Sequence, residues 1–410
     1  SGSTAANVAT TGVFTIPLMK KNGYSARFAA ATEASASTGG QILPPIMGAA
    51  AFVMADVIST SYLDIISAAL IPALLFYLAI WMSVHFEAKR LGLNPIPKDQ
   101  RPTLREGLFN VETLLLPLVV LITMLVLRYT PTTAAVAAYF TAMVLYLVSP
   151  RSQGTLWERV KTLPAALEAG AMTAAMIAVI IGSVAIIAAV ISITGLGLKV
   201  SSLILMVSGG DVMVTLLLAM VVAIILGMGL PTVAAYMLAA SVVAAAFVEA
   251  GLPNLSAHLF ILYFAILSGV TPPVALAAYI GGAIAGSHWF RTALTATKIS
   301  LGGFLIPFMF VYHPPLLGQG TKLEIAMAVA SGVLGIIALA ASTIGYFARP
   351  CSWVERGLLL FAALMLINGQ AITDVVGIAV IAGIFVWQRY FSHAAKGGRP
   401  LARSPSKEPL

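Results

Sequence analysis

Two short constellations of small and hydroxyl-bearing residues in this chain could bind a hard cation. One joins Ser3, Thr4 and Asn7 to Gly39, Gly40 and Pro44; the other joins Gly227, Met228 and Thr232 to Gly269, Thr271 and Pro272. Sodium takes several oxygen ligands, and a broken helix supplies carbonyl groups that no longer accept helical hydrogen bonds. Small residues alone could serve only close helix packing. Two matched sets, each ending in Pro-Pro, favour the ion site. Other chemistries lack their residues. The five histidines are widely spaced, and Cys351 is the single cysteine, which excludes an intramolecular disulfide or a cysteine-held metal. There is no Ser/His/Asp set and no phosphate-binding Gly-Lys-Ser/Thr stretch, so an enzyme is not expected.

The elements that carry the second set begin with Val212 to Leu226, about 15 residues or roughly 22 Å of helix, too short for a hydrocarbon core of about 30 Å. Gly227, Gly229 and Pro231 break that helix, and Val233 to Val248 leads away. This predicts a re-entrant hairpin with non-helical backbone at membrane depth. The chain then enters as His258 to Ser268, is interrupted at Gly269-Val270-Thr271-Pro272-Pro273, and continues to Gly286. Two adjacent prolines remove two donors and disfavour helix before them. The first repeat has the same plan. Its tip is Ser1 to Gly12, its arm ends at Lys20-Lys21, and Ala26 to Asp56 is broken at Ser37 to Pro45. Pairing Pro44 with Pro272 gives an offset of 228 (272 − 44), and Gly2 with Gly227 gives 225 (227 − 2). Substrate contacts are expected at the same breaks, from Thr4, Pro44, Pro45, Pro231, Pro272 and Pro273.

Composition sets the solvent. Of the 410 residues 60% are hydrophobic and 9% charged, and neither Phe28 to Ala88 nor Val200 to Phe290 contains a Lys or Arg. The fold class expected is an all-α polytopic membrane protein, with inverted repeats, two re-entrant hairpins and two discontinuous spans. The apolar runs are blocks without strand alternation, which argues against a barrel. Traced through its spans, the chain puts all its basic residues but Arg128, Lys199 and Lys322 on one side, which the positive-inside rule makes cytoplasmic, C-terminus included. The first hairpin then opens from the cytoplasm and the second from outside. The division expected is a first transport repeat (1–56), scaffold spans and loops (57–163), a second transport repeat (164–298), C-terminal spans (299–393) and a disordered basic tail (394–410). The tail and the net charge of +8 fit the positive-inside rule better than a nucleic-acid partner.

Glu33 stands about two turns before the first break. An ionisable group within a span is a candidate for proton or substrate coupling. Pairing with Lys20, Lys21 or Arg27 near the interface is the alternative, and the residues leave both open. The chain starts at serine inside a polar stretch, which reads as the remainder of a longer protein.

The stretches GSTAANVATTGVFTIPLMKKNGYSARFAAATEASASTGGQILPPIMGAAAF, LGMGLPTVAAYMLAASVV and LYFAILSGVTPPVALAAYIGGAIAG closely resemble the large membrane subunit of tripartite ATP-independent periplasmic (TRAP) transporters. ISITGLGLKVSSLIL is similar to fused small-plus-large permeases that work with TAXI-type binding proteins. The likeness runs over about Ser1 to Pro315. It implies an elevator-type transporter of the bacterial inner membrane, driven by Na⁺, to which a periplasmic substrate-binding protein delivers an organic anion. By that resemblance Ser3, Asn7 and Gly40 match one sodium site, and Gly227, Thr232, Gly269 and Thr271 the other. Asn7 departs from members that carry an acidic residue there. A stand-alone Na⁺/divalent-anion symporter is the alternative transporter, and a channel is a poorer fit.

Overall fold

The computed structural model describes residues 2–45, 47–94, 111–148, 155–367 and 369–391, which form helices joined by short turns, with no strand among them. The basic tail, and Lys98, Arg101, Arg105 and Arg151 of the loops, lie outside the described residues.

The first repeat comprises α1 (Thr4–Lys21), α2 (Ala26–Gly39) and α3 (Ala49–Val57). Ser3 caps α1 by accepting from the Ala6 N–H at 3.4 Å, and Ser25 caps α2 by accepting from Phe28 at 3.2 Å. Such caps satisfy donors that a helix start leaves orphaned. Then come α4 (Tyr62–Leu91), α5 (Val111–Val126), α6 (Pro131–Val148), α7 (Leu156–Ile193) and α8 (Leu196–Ser208). The second repeat is α9 (Val212–Gly227), α10 (Thr232–Glu249), α11 (Asn254–Leu267) and α12 (Leu276–Ala285). The chain ends with α13 (Trp289–Ile299), α14 (Leu301–Tyr312), α15 (Lys322–Ile344), α16 (Trp353–Ile367) and α17 (Ala371–Val386). Among the described residues seven helical runs are long and apolar enough to cross a membrane, α4, α6, α7, α10, α13 with α14, α15, and Ile372–Tyr390. The protein is an all-α polytopic membrane protein.

Pro164 lies inside α7, whose helix starts upstream of it at Leu156. Thr155 and Glu158 explain it, since they form a capping box: the Thr155 N–H donates to Glu158 Oε2 at 2.7 Å and the Glu158 N–H to Thr155 Oγ1 at 3.4 Å. That box nucleates helix upstream of the proline. Large apolar side chains of α7, such as Met172, Val179 and Ile186, are exposed. Such a surface suits hydrocarbon as its solvent.

The core of the bundle is packed through small residues. Phe76 of α4 is fully buried, and its ring fills the space that a Cβ on Gly39 or Gly303 would need, at 2.8 and 2.4 Å. Lipid offers no hydrophobic drive between helices, so such close approaches hold the bundle together. Tyr77 adds a polar lock, its hydroxyl donating to the Ala36 carbonyl at 3.1 Å.

Candidate functional site

Helix by helix the two repeats superimpose in sequence. α1 and α10 both have 18 residues, α2 and α11 both 14, and each pair starts 228 residues apart (232 − 4 and 254 − 26). Both breaks hold a cis Pro-Pro bond, Pro44-Pro45 and Pro272-Pro273. The tips therefore keep the offset of the prolines, and Thr4 corresponds to Thr232. This corrects the Gly2–Gly227 pairing by three residues. Glycines mark where a chain can bend, but the first helical residue fixes the register.

The two tips meet through a residue that the sequence reading did not single out. Gln41, in the first broken span, is 3% exposed; its Nε2 donates to the Gly2 carbonyl at 3.1 Å, and its Oε1 accepts from Thr232 Oγ1 at 2.7 Å. One buried amide thus joins the start of α1 to the start of α10. Around it lies a cavity of about 560 Å³, lined by Ser3, Thr4, Gln41, Pro231, Thr232 and Gly269 among others, with Thr173 and Met176 of α7 on one wall. Among the described residues no lining side chain carries a charge. Its polar groups are hydroxyls, one amide and backbone, and the starts of α1, α10 and α12 open onto it.

The expected site residues distribute unevenly about this cavity. Ser3, Thr4, Pro231, Thr232 and Gly269 line it; Asn7, Gly40, Gly227, Thr271, Pro44, Pro45, Pro272 and Pro273 do not. Asn7 turns to α2 and donates from Nδ2 to Ser37 Oγ at 2.8 Å. Gly40 follows α2, next to Gly39, whose carbonyl accepts from both Ile42 and Leu43 at 3.0 Å. The Pro45 carbonyl accepts from the Tyr62 hydroxyl at 3.0 Å. Gly227 ends α9 so close to α11 that an added Cβ would stand 2.7 Å from Ser268 Oγ. Met228 follows it, donating its N–H to the Ile225 carbonyl. The Gly269 carbonyl accepts from the Ala277 N–H at 3.1 Å across the second break. Thr271 Oγ1 donates to the Leu267 carbonyl at 2.7 Å. Thr232 and Thr271 thus share no partner: one hydroxyl crosses to the first repeat, the other stays within its own break.

Glu33 is 8% exposed and is surrounded by hydroxyls. Thr11 Oγ1 is bonded to Oε1, Thr15 Oγ1 donates to Oε2 at 2.5 Å, and Ser37 Oγ donates to Oε1 at 3.3 Å. Asn7 joins the same network through Ser37. Neither ion pair found among the described residues involves Glu33. The nearby Lys20 donates instead to the Ala285 carbonyl at 2.9 Å. The pairing alternative is therefore not what these residues do. A signal for the network was present in the sequence: Asn7, Thr11 and Thr15 recur every four residues on α1, and Glu33 and Ser37 do so on α2, each set on one helical face.

No curated protein matches the chain. A family model does, described as the tripartite ATP-independent periplasmic transporter, DctM component, and it covers residues 1–325. The match takes in both repeats, the cavity and the Glu33 network. The DctM component is part of a transporter, not an enzyme, and works with a periplasmic substrate-binding protein. The chain thus belongs to the DctM component family of tripartite ATP-independent periplasmic transporters.

Proposed function

We propose that this chain takes up a small organic anion, a carboxylate, in symport with Na⁺ across the bacterial inner membrane, its C-terminus in the cytoplasm. A periplasmic substrate-binding protein of the TAXI type delivers the anion. The anion lies in the cavity between the tips, where the starts of α1, α10 and α12 offer positive dipole ends. Thr4, Thr232 and Gln41 orient it, and Pro231 shapes one side. The prolines Pro44, Pro45, Pro272 and Pro273 act from behind, by keeping the spans broken.

Sodium binds beside it in two places, at Ser3, Asn7 and Gly40 and at Gly227, Thr232, Gly269 and Thr271. Glu33 couples through Asn7 to the first of these. The two hairpins are re-entrant and move together, with their broken spans, as an elevator against the scaffold spans of residues 57–163. The observation that carries this reading is the Gly2–Gln41–Thr232 bridge. It makes both tips walls of one cavity, so an ion held at either tip acts on whatever the cavity holds.

Equilibrium binding tests the ion without any substrate. A ligand that binds only the folded state raises its stability with concentration. The melting temperature of the purified chain should rise as NaCl replaces choline chloride at constant ionic strength, and KCl should not reproduce the rise. Equal melting in all three salts would remove the sodium part of the proposal.

A further inference from the structure

A second crevice, of about 420 Å³, opens at the basic end of the bundle, far along the helices from the tips. It lies between the start of α2, the last turns of α4 and α13, and the end of α15. Among the described residues three cations line it, Arg27, Arg90 and Lys298, with one carboxylate, Glu87. Glu87 is 7% exposed and both of its oxygens are occupied, by Arg90 Nε and Nη2 at 2.7 Å each. Arg27 and Lys298 are left in surplus, and neither belongs to an ion pair among the described residues. Among the described residues Arg356, Arg90 and Arg27 act on Lys298 together with the single carboxylate Glu87. Arg356 is fixed, stacked 4.5 Å over Trp353 with its Nε on the Ser342 carbonyl at 2.8 Å. The remaining walls include Phe28 and Ile299, which are apolar and buried.

We propose that this crevice holds the phosphate of an anionic phospholipid headgroup, in the leaflet at the basic side of the protein. Like charges crowded at a helix end lower one another's stability, and a phosphate between Arg27 and Lys298 relieves that. Basic recesses between spans on the cytoplasmic side suit such headgroups, and the apolar walls accept the glycerol and first methylenes. The start of α2, capped by Ser25 at the Phe28 N–H, adds its positive dipole end beside the cations. A headgroup here touches α2 and α13 on one side and α4 and α15 on the other, and ties them together. The leaflet rests on the topology proposed above; the binding does not.

The test uses the full chain in neutral detergent, titrated with dihexanoyl phosphatidylglycerol and followed by its melting temperature. Saturable stabilisation is expected, with none from dihexanoyl phosphatidylcholine. The double variant Arg27→Gln/Lys298→Gln should weaken the apparent affinity about thirtyfold, and Lys298→Gln alone about fivefold should the double variant not fold. Arg27→Lys/Lys298→Arg should keep most of it. Equal stabilisation by both lipids, or Gln variants that titrate like the parent chain, would overturn the proposal. So would inorganic phosphate giving the same shift with the same sensitivity to the variants, which would assign the crevice to a soluble anion. None of these readouts involves sodium or transport, so their failure is separate from any failure of the transport reading.

Discussion

The two repeats share a backbone and differ in what fills the contact between arm and broken span. In the first, Asn7, Thr11, Thr15, Glu33 and Ser37 form a hydrogen-bonded network around a buried carboxyl group. At the offset of 228, the same places in the second are Ala235, Ala239, Val243, Ile261 and Ala265, all buried and apolar. The apolar version folds into the same helices. Packing therefore does not require the polar version, and an ionisable group that costs stability inside a span is a functional hypothesis by default. The second repeat's own polar pair, Tyr236 Oη and His258 Nδ1 at 2.8 Å, lies elsewhere on the helices and fully inside the core. Equivalent scaffolds thus carry different contacts: the first buries the carboxyl group of Glu33 among hydroxyls, while the second sends Thr232 across to Gln41.

The hardest test of that contrast is to make the first repeat resemble the second. Glu33→Ile, which copies Ile261, should leave the melting temperature within a few degrees of the parent and lower Na⁺-driven uptake about a hundredfold, which corresponds to an interaction of ~3 kcal/mol. A large loss of stability with normal specific uptake would show the network to be structural after all. Thr232→Ala removes the hydroxyl that bridges the tips; the Na⁺ concentration for half-maximal uptake should rise about tenfold, with stability lowered by only ~1 kcal/mol. Unchanged Na⁺ activation would detach the bridge from the ion. Gly39→Ala probes packing alone, since its Cβ would meet Phe76 at 2.8 Å. It should cost ~1–3 kcal/mol in unfolding measurements while the Na⁺ dependence of the folded fraction is kept. Tyr236→Phe should have the smallest effect. Losing its bond to His258 should cost ~1 kcal/mol and leave uptake intact, which marks the second repeat's polar pair as structural.

Much of this was legible in the sequence because Gly and Pro interrupt apolar helices wherever they fall. Gly227 to Pro231 and Gly269 to Pro273 announced their breaks, and the duplicated Pro-Pro gave the repeat. What escaped depended on contacts between distant segments. Gln41 is one amide in a small-residue stretch, and only the approach of Thr232, 191 residues away, makes it a bridge. The partners of Glu33 lie on a helix that reaches it through a turn, so sequence proximity suggested lysines and arginine while the fold supplied hydroxyls.

Proteoliposomes show whether ions at the tips drive an anion through the cavity between them. Uptake would be measured with and without an inward Na⁺ gradient, and with and without a periplasmic binding protein carrying ligand. The account predicts accumulation only when both are present. Accumulation driven by Na⁺ without the binding protein would favour a stand-alone symporter, and equal flux with neither would contradict the coupled mechanism.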